Sequence, residues 1–265
     1  MTVLVASRFA AHFAMPTSVL LQFEAASTPG QEILHSATRV TPEGHLARVA
    51  AQDGIGERIW VEAQGRIEVQ YEAEVQVSRA PHPLEELAAL EPCRLPGEAV
   101  PYLLDSRYCR ADECQGLVAS EFAGTTGGAR IAAIRDWIHD HFTYRPGASD
   151  ASTDATQSFI AREGICRDYS HVLVMLARAS SIPARYVACY APGVTPQDFH
   201  AIAEVYLADA DDETGAWHLV DATGMADLAN AVRIGVGRDA ADVSFVTSFG
   251  PMQFEYSKVE VALSN

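Results

Sequence analysis

"REGICRDYSHVLVMLARASSIPARYV", residues 162–187, decides how this chain folds. A Gly-containing loop turns at Cys166 into a long apolar helix, which must stop before Pro183. "ARYVACYA" after it reads as a strand, and so do "HAIAEVYLA" from His200 and "AWHLVDAT" from Ala216. The acidic stretch "ADADDETG", residues 208–215, is expected to join the last two as a hairpin loop. Upstream, Ile131, Ile134, Ile138 and Phe142 recur at helical spacing, and that helix is expected to end before Pro146-Gly147. "ATQSFI" reads as a loop or a short helix. Helices followed by antiparallel strands make this part of the chain α+β.

The first 80 residues have a different rhythm. From Ile67 to Val77, apolar residues alternate with Glu68, Gln70, Glu72, Glu74 and Gln76, a period of two that marks a strand with one wet face. "TVLVASRFAAHF" and "TSVLLQFEA" read as two short strands separated by Pro16, and a further pair flanks Gln64-Gly65. Such a series predicts an antiparallel β-sandwich or barrel domain over 1–80. Residues 81–127 carry five prolines in the stretch up to Pro101 and read as a Pro-rich connector. The remainder, 128–265, is expected to form one further domain.

With 265 residues, 48% of them apolar, the chain can bury a core without staples. Its formal net charge of -16 repels phosphate backbones and anionic lipid, so neither nucleic acid nor a membrane surface is an expected partner. Five cysteines, an odd number in a long chain, argue against a disulfide framework. Cys109 and Cys114 lack a second ligand pair at zinc spacing and read as connector residues. The N-terminal apolar runs are broken by Arg8, His12 and Pro16, too short for a signal sequence. A soluble, cytoplasmic protein is expected.

Three residues carry the chemistry: Cys166 at a helix start, His200 at a strand start and Asp221 at a strand end. A helix N-terminus and a neighbouring imidazolium both favour the reactive thiolate. A carboxylate on the other ring nitrogen would fix the imidazole tautomer. His171 is the nearer histidine in sequence. Five residues along a helix turn it about 140° away from Cys166, so it reads as packing or capping. Asp168 points nearly opposite Cys166 and reads as structural. On "HAIAEVYL", His200, Ile202, Glu204 and Tyr206 share a face that looks toward something polar. His218 lies on the face opposite Asp221.

"GICRDYSHVLVMLARASSIPARYV", "HAIAEVYL" and "WHLVDATG" together resemble the core of the transglutaminase-like superfamily, over about residues 130–224. The resemblance implies a papain-like arrangement, the nucleophile on a helix and the His and Asp on adjacent antiparallel strands. It implies that Cys166 is the nucleophile, His200 the base and acid, and Asp221 the orienting group. Arg167 and Asp168 fit the family's "C-R-D". Ile202 stands where the family often has an aromatic residue. Gln157 is a candidate second oxyanion donor. The implied activity is amide hydrolysis or acyl transfer through a thioester, as in a cysteine peptidase or a transglutaminase. The substrate would be a peptide, a protein or a small amide, with no cofactor and no metal. A protein-binding module that keeps this fold without catalysis is the alternative. A zinc site built from Cys166, His200 and Asp221 is disfavoured, because no two of them are close in sequence.

Overall fold

A computed structural model describes residues 1–44, 46–79, 83–208 and 214–264. Four strands open the chain: β1 (Thr2–Leu21), β2 (Gln31–Thr41), β3 (Leu46–Ala50) and β4 (Glu57–Val77). The alternation in β4 is realised, with Ile67, Val69, Tyr71, Ala73, Val75 and Val77 all buried. β1 pairs antiparallel with β4 along almost its whole length, so the two segments either side of Pro16 are one strand rather than two. Their register shifts between Phe13 and Thr17, opposite Gly65, and Ala14, Met15 and Pro16 bulge outward, exposed. A bulge needs no ladder N–H at that point, which is why Pro16 interrupts pairing without ending the strand. Beyond the bulge the neighbours change. β2 flanks β4 on one side of the bend, and β3 flanks it on the other.

The second half of the chain holds α1 (Gln115–Glu121), α2 (Gly127–His141), β5 (Thr143–Tyr144), α3 (Ala155–Ala161), β6 (Glu163–Gly164) and α4 (Cys166–Ala179). The strands β7 (Ala184–Tyr190), β8 (His200–Ala208), β9 (Gly215–Val220) and β10 (Val232–Gly237) form an antiparallel sheet in the order β10-β7-β8-β9. The expected three strands are present, and β10 adds a fourth that the sequence reading omitted. β8 and β9 do form a hairpin, but residues 209–213 of its expected acidic loop lie outside the described residues.

Every residue of α4 except Arg167 is buried. Its buried polar residues Asp168, His171 and Arg178 are hydrogen-bonded, and its apolar residues pack on Ala184, Ala203, Val205 and Leu207 of β7 and β8. The two alanines let the helix approach the sheet closely. The connector contributes to this core through Leu87, Cys109, Ala111, Cys114, Val118 and Phe122. Cys109 and Cys114 are connector residues that point into this core.

Residues 246–264, which the sequence reading placed with the second domain, return to the first sheet. β11 (Val246–Ser248) and β12 (Gln253–Ser264) both pair with β1, on opposite sides of its bend. The resulting six-stranded, bent sheet closes over one core, which also takes in Tyr190, Val232 and Ile234 of the second sheet. Tyr190 donates to Phe23 O at 2.6 Å and meets Ser7 Oγ at 3.0 Å, tying β7 into the first sheet. Among the described residues, no helix is long and apolar enough to cross a membrane.

Candidate active site

Cys166 is the first residue of α4 and is 9% exposed. The turn that presents it is held by Asp168, which is fully buried. Asp168 accepts the Ile165 N–H at 2.8 Å and the Ser149 hydroxyl at 2.5 Å. Gly164 permits this: a Cβ there would sit 2.6 Å from Asp168 Oδ2. Arg167 crosses to Asp150 O at 2.6 Å and to Ser149 Oγ at 3.1 Å. The "C-R-D" aspartate and arginine therefore brace the loop beside the thiol, as helix geometry predicts.

His200 begins β8 opposite Cys189 of β7 and is buried. Its Nε2 lies 3.3 Å from Asp221 Oδ2, while Nδ1 has no hydrogen-bond partner. Burial disfavours the charged imidazole, but Asp221 on one side and the Cys166 thiol on the other outweigh it, and the pKa rises to about 9. Asp221 in turn is gripped by the turn that follows it. Thr223 N–H and hydroxyl reach Oδ1 at 2.8 and 2.7 Å, and the N–H groups of Met225 and Ala226 reach Oδ2 at 3.1 and 2.9 Å. Burial alone would raise this carboxyl. His200 and these donors instead hold it below its ordinary value. An aspartate with this many donors stays ionised and aims one oxygen at the imidazole.

The loop entering β8 is fixed from the first sheet. Phe199 stacks on Phe245 at 4.7 Å and packs against Tyr190 at 5.4 Å. The Gln197 amide bonds Val261 in both directions, Nε2 to O at 2.8 Å and N–H to Oε1 at 3.0 Å. One role of the N-terminal sheet is thus to hold His200 in place.

His171 is turned away from this group. It is fully buried, stacks on Tyr108 at 5.0 Å and accepts the Ala240 N–H at 3.1 Å on Nε2. Burial and the charges of Arg167 and Arg178 push its pKa down to about 3, so it is a neutral packing residue. Gln157 is also elsewhere. It is exposed, and its side-chain oxygen accepts the Asp154 N–H at 2.9 Å to cap α3. The residue missed by sequence reading is Tyr144. β5 pairs in parallel with β6, Tyr144 opposite Gly164, which brings its ring onto Cys166. Burial and the neighbouring Cys166 raise its pKa, so its hydroxyl stays a protonated donor. The only sequence signal was an aromatic residue just past the end of α2. Among the described residues, no group of three or more His, Cys, Asp or Glu side chains is arranged to hold a metal ion.

The family model of the transglutaminase-like superfamily matches residues 117–222, which include Cys166, His200 and Asp221. The chain is similar to the crystal structure of a candidate cysteine protease from Cytophaga hutchinsonii. The TM-score is 0.90 and the identity 31%, over 99% of this chain and 90% of that one. It is also similar to uncharacterised proteins of Mycobacterium leprae (28% identical over 125 residues) and Mycobacterium tuberculosis (29% over 147 residues). These matches cover 44% and 50% of this chain, and 42% and 46% of the relatives. The chain therefore spans less than half the length of the curated relatives it matches. The family match and the near-complete likeness to the Cytophaga structure place the chain in one group: it belongs to the transglutaminase-like superfamily.

Proposed function

We propose that the protein is a thiol-dependent amide hydrolase or acyl transferase, with Cys166 as nucleophile, His200 as base and acid, and Asp221 as orienting group. The observation that carries this reading is the position of His200. Its Nε2 faces Asp221, and its unbonded Nδ1 is the nitrogen left for the Cys166 thiol. Asp221 accepting from Nε2–H leaves a lone pair on Nδ1, the tautomer a base needs.

In the reaction, Nδ1 already holds the proton given up by Cys166, and the sulfur attacks the amide carbon. The carbonyl oxygen becomes an oxyanion, received by the Cys166 backbone N–H at the helix start and by the Tyr144 hydroxyl. As the intermediate collapses, the C–N bond breaks and the imidazolium gives its proton to the leaving amine. The acyl group remains on sulfur as a thioester. Water resolves it to a carboxylic acid, or a second amine to a new amide. In either case His200 removes the proton of the attacking group and returns it to sulfur. A His200 pKa near 9 keeps the imidazolium available at neutral pH.

The test is turnover of a fluorogenic peptide-amide library by the wild type and by Cys166→Ala, with and without a primary amine such as cadaverine. The reading requires Cys166-dependent turnover. Product carrying the amine identifies transfer, and free acid identifies hydrolysis. Turnover that survives Cys166→Ala would overturn it.

A further inference from the structure

A cavity of about 390 Å³ lies between the ends of the first sheet, at Gly30 and Arg79, and the second sheet, at Trp217 and Arg233. Cys166 does not line it, so it is separate from the thiol site. Two guanidinium groups, those of Arg79 and Arg233, line it, and Arg185 shares a carboxylate with Arg233. Arg185 Nε and Arg233 Nε both donate to Glu204, at 2.7 and 2.6 Å, and Arg185 also reaches Asp53 Oδ2 at 3.1 Å. Glu204 is fully buried. Arg79 has no carboxylate among the described residues. It donates to the carbonyls of Leu228 at 2.7 Å and Ala231 at 3.2 Å. Among the described residues, three cations therefore meet two carboxylates in this cluster, a surplus of one positive charge inside a protein of net charge -16.

The surplus is costly without a counter-ion. Burial and the neighbouring Arg233 charge hold the Arg79 pKa down, to about 10. Both arginines keep donors in reserve, because Arg79 Nε and Arg233 Nη1 bond to none of the described residues. Pro29, Trp217, Leu219 and Leu228 form an apolar stretch of the wall, beside the polar side chains of Ser78 and His218. A cavity with an apolar stretch of wall and a few convergent charged donors, within the size range of small-molecule sites, is built for an amphipathic ligand. One surplus charge matches a monoanion better than a dianionic phosphate.

We propose that this cavity binds a small organic carboxylate, its anionic group on Arg79 and Arg233 and its apolar body against Trp217 and Leu228. The proposal is independent of catalysis at Cys166. Titration calorimetry of the full chain at low salt tests it, with benzoate, its neutral isostere benzamide, and phenyl phosphate. Benzoate should bind one to one and about tenfold or more tighter than benzamide, the usual gain of a charge-assisted pair. Arg79→Gln removes the surplus charge and should weaken benzoate about tenfold. Ala229→Trp obstructs the cavity without replacing either arginine and should abolish binding. If Arg79→Gln does not fold, Ala229→Trp decides alone. Equal binding of benzamide, no benzoate binding at about 10 mM, unchanged binding to a folded Ala229→Trp, or a preference for phenyl phosphate would each overturn the proposal.

Discussion

His171→Phe should make the protein less stable at neutral pH yet flatten its loss of stability in acid. His171 is wholly buried between Tyr108 and Tyr186, with ring centroids 5.0 and 5.1 Å away. Nε2 accepts the Ala240 N–H, and Nδ1 has no partner. Phenylalanine keeps the ring contacts but leaves the Ala240 N–H without an acceptor, at a cost of about 1–2 kcal/mol at pH 7. The wild type carries a different liability. In the unfolded chain the imidazole takes a proton near pH 6.5, whereas in the fold burial and the two arginines delay this to about 3. A depressed histidine pKa gives stability that is complete above pH 6.5 and drains away as the pH falls toward 3. At pH 4.5 the wild type has lost roughly 3 kcal/mol through this group alone, at about 1.4 kcal/mol per pH unit. The variant loses nothing there, so the two stability curves should cross between about pH 5 and 6. Urea unfolding of both proteins from pH 7.5 to 4.5 reads the difference directly, because the carboxylates titrate alike in both. A stability difference that stays constant across that range would refute the reasoning.

Glu204→Gln keeps shape but removes the one carboxylate shared by Arg185 and Arg233, and should cost about 3–5 kcal/mol by urea unfolding; a loss below about 1 kcal/mol would contradict the account of the cluster. Gly164→Ala forces a methyl group against Asp168 Oδ2, so we expect a lower melting temperature together with slower thiol chemistry, and a variant as stable as wild type would be evidence against that contact. Tyr144→Phe preserves packing and should lower kcat about 10²-fold with little change in KM, as loss of an oxyanion donor does; an unchanged kcat removes Tyr144 from the mechanism. The pH–rate profile should fall above about pH 9, where His200 loses the proton it gives to the leaving group. A profile still rising at pH 10 would speak against His200 as the acid, in roughly the same range.

Much of this site is legible because its parts are local. Cys166 is marked by the change from loop to apolar helix, and the His171 alternative falls to helix geometry alone. The polar face assigned to His200 and Glu204 is real, since one meets Asp221 and the other meets two arginines. What the sequence hides is long-range pairing. Nothing in "QFEYSKVEVALS" says that β12 runs beside β1, some 250 positions earlier, rather than completing the second sheet. Tyr144 sits on a two-residue strand, too short for any periodicity, and only the β5–β6 pairing brings it to Cys166. Pro16 reads as a strand end because a proline in a bulge and one in a turn look the same until the partner strand is known.

Thiol reactivity puts the central claim to its hardest test, because exposure and activation point in opposite directions. Cys93 is exposed, while Cys166 is 9% exposed at a helix start beside His200. Iodoacetamide labelling at pH 7, followed residue by residue by mass spectrometry, ranks the two. Activation predicts that Cys166 reacts about tenfold or more faster than Cys93, and that His200→Ala slows Cys166 without changing Cys93. Cys93 reacting first, or a Cys166 rate indifferent to His200→Ala, would contradict the assignment of Cys166 as the nucleophile.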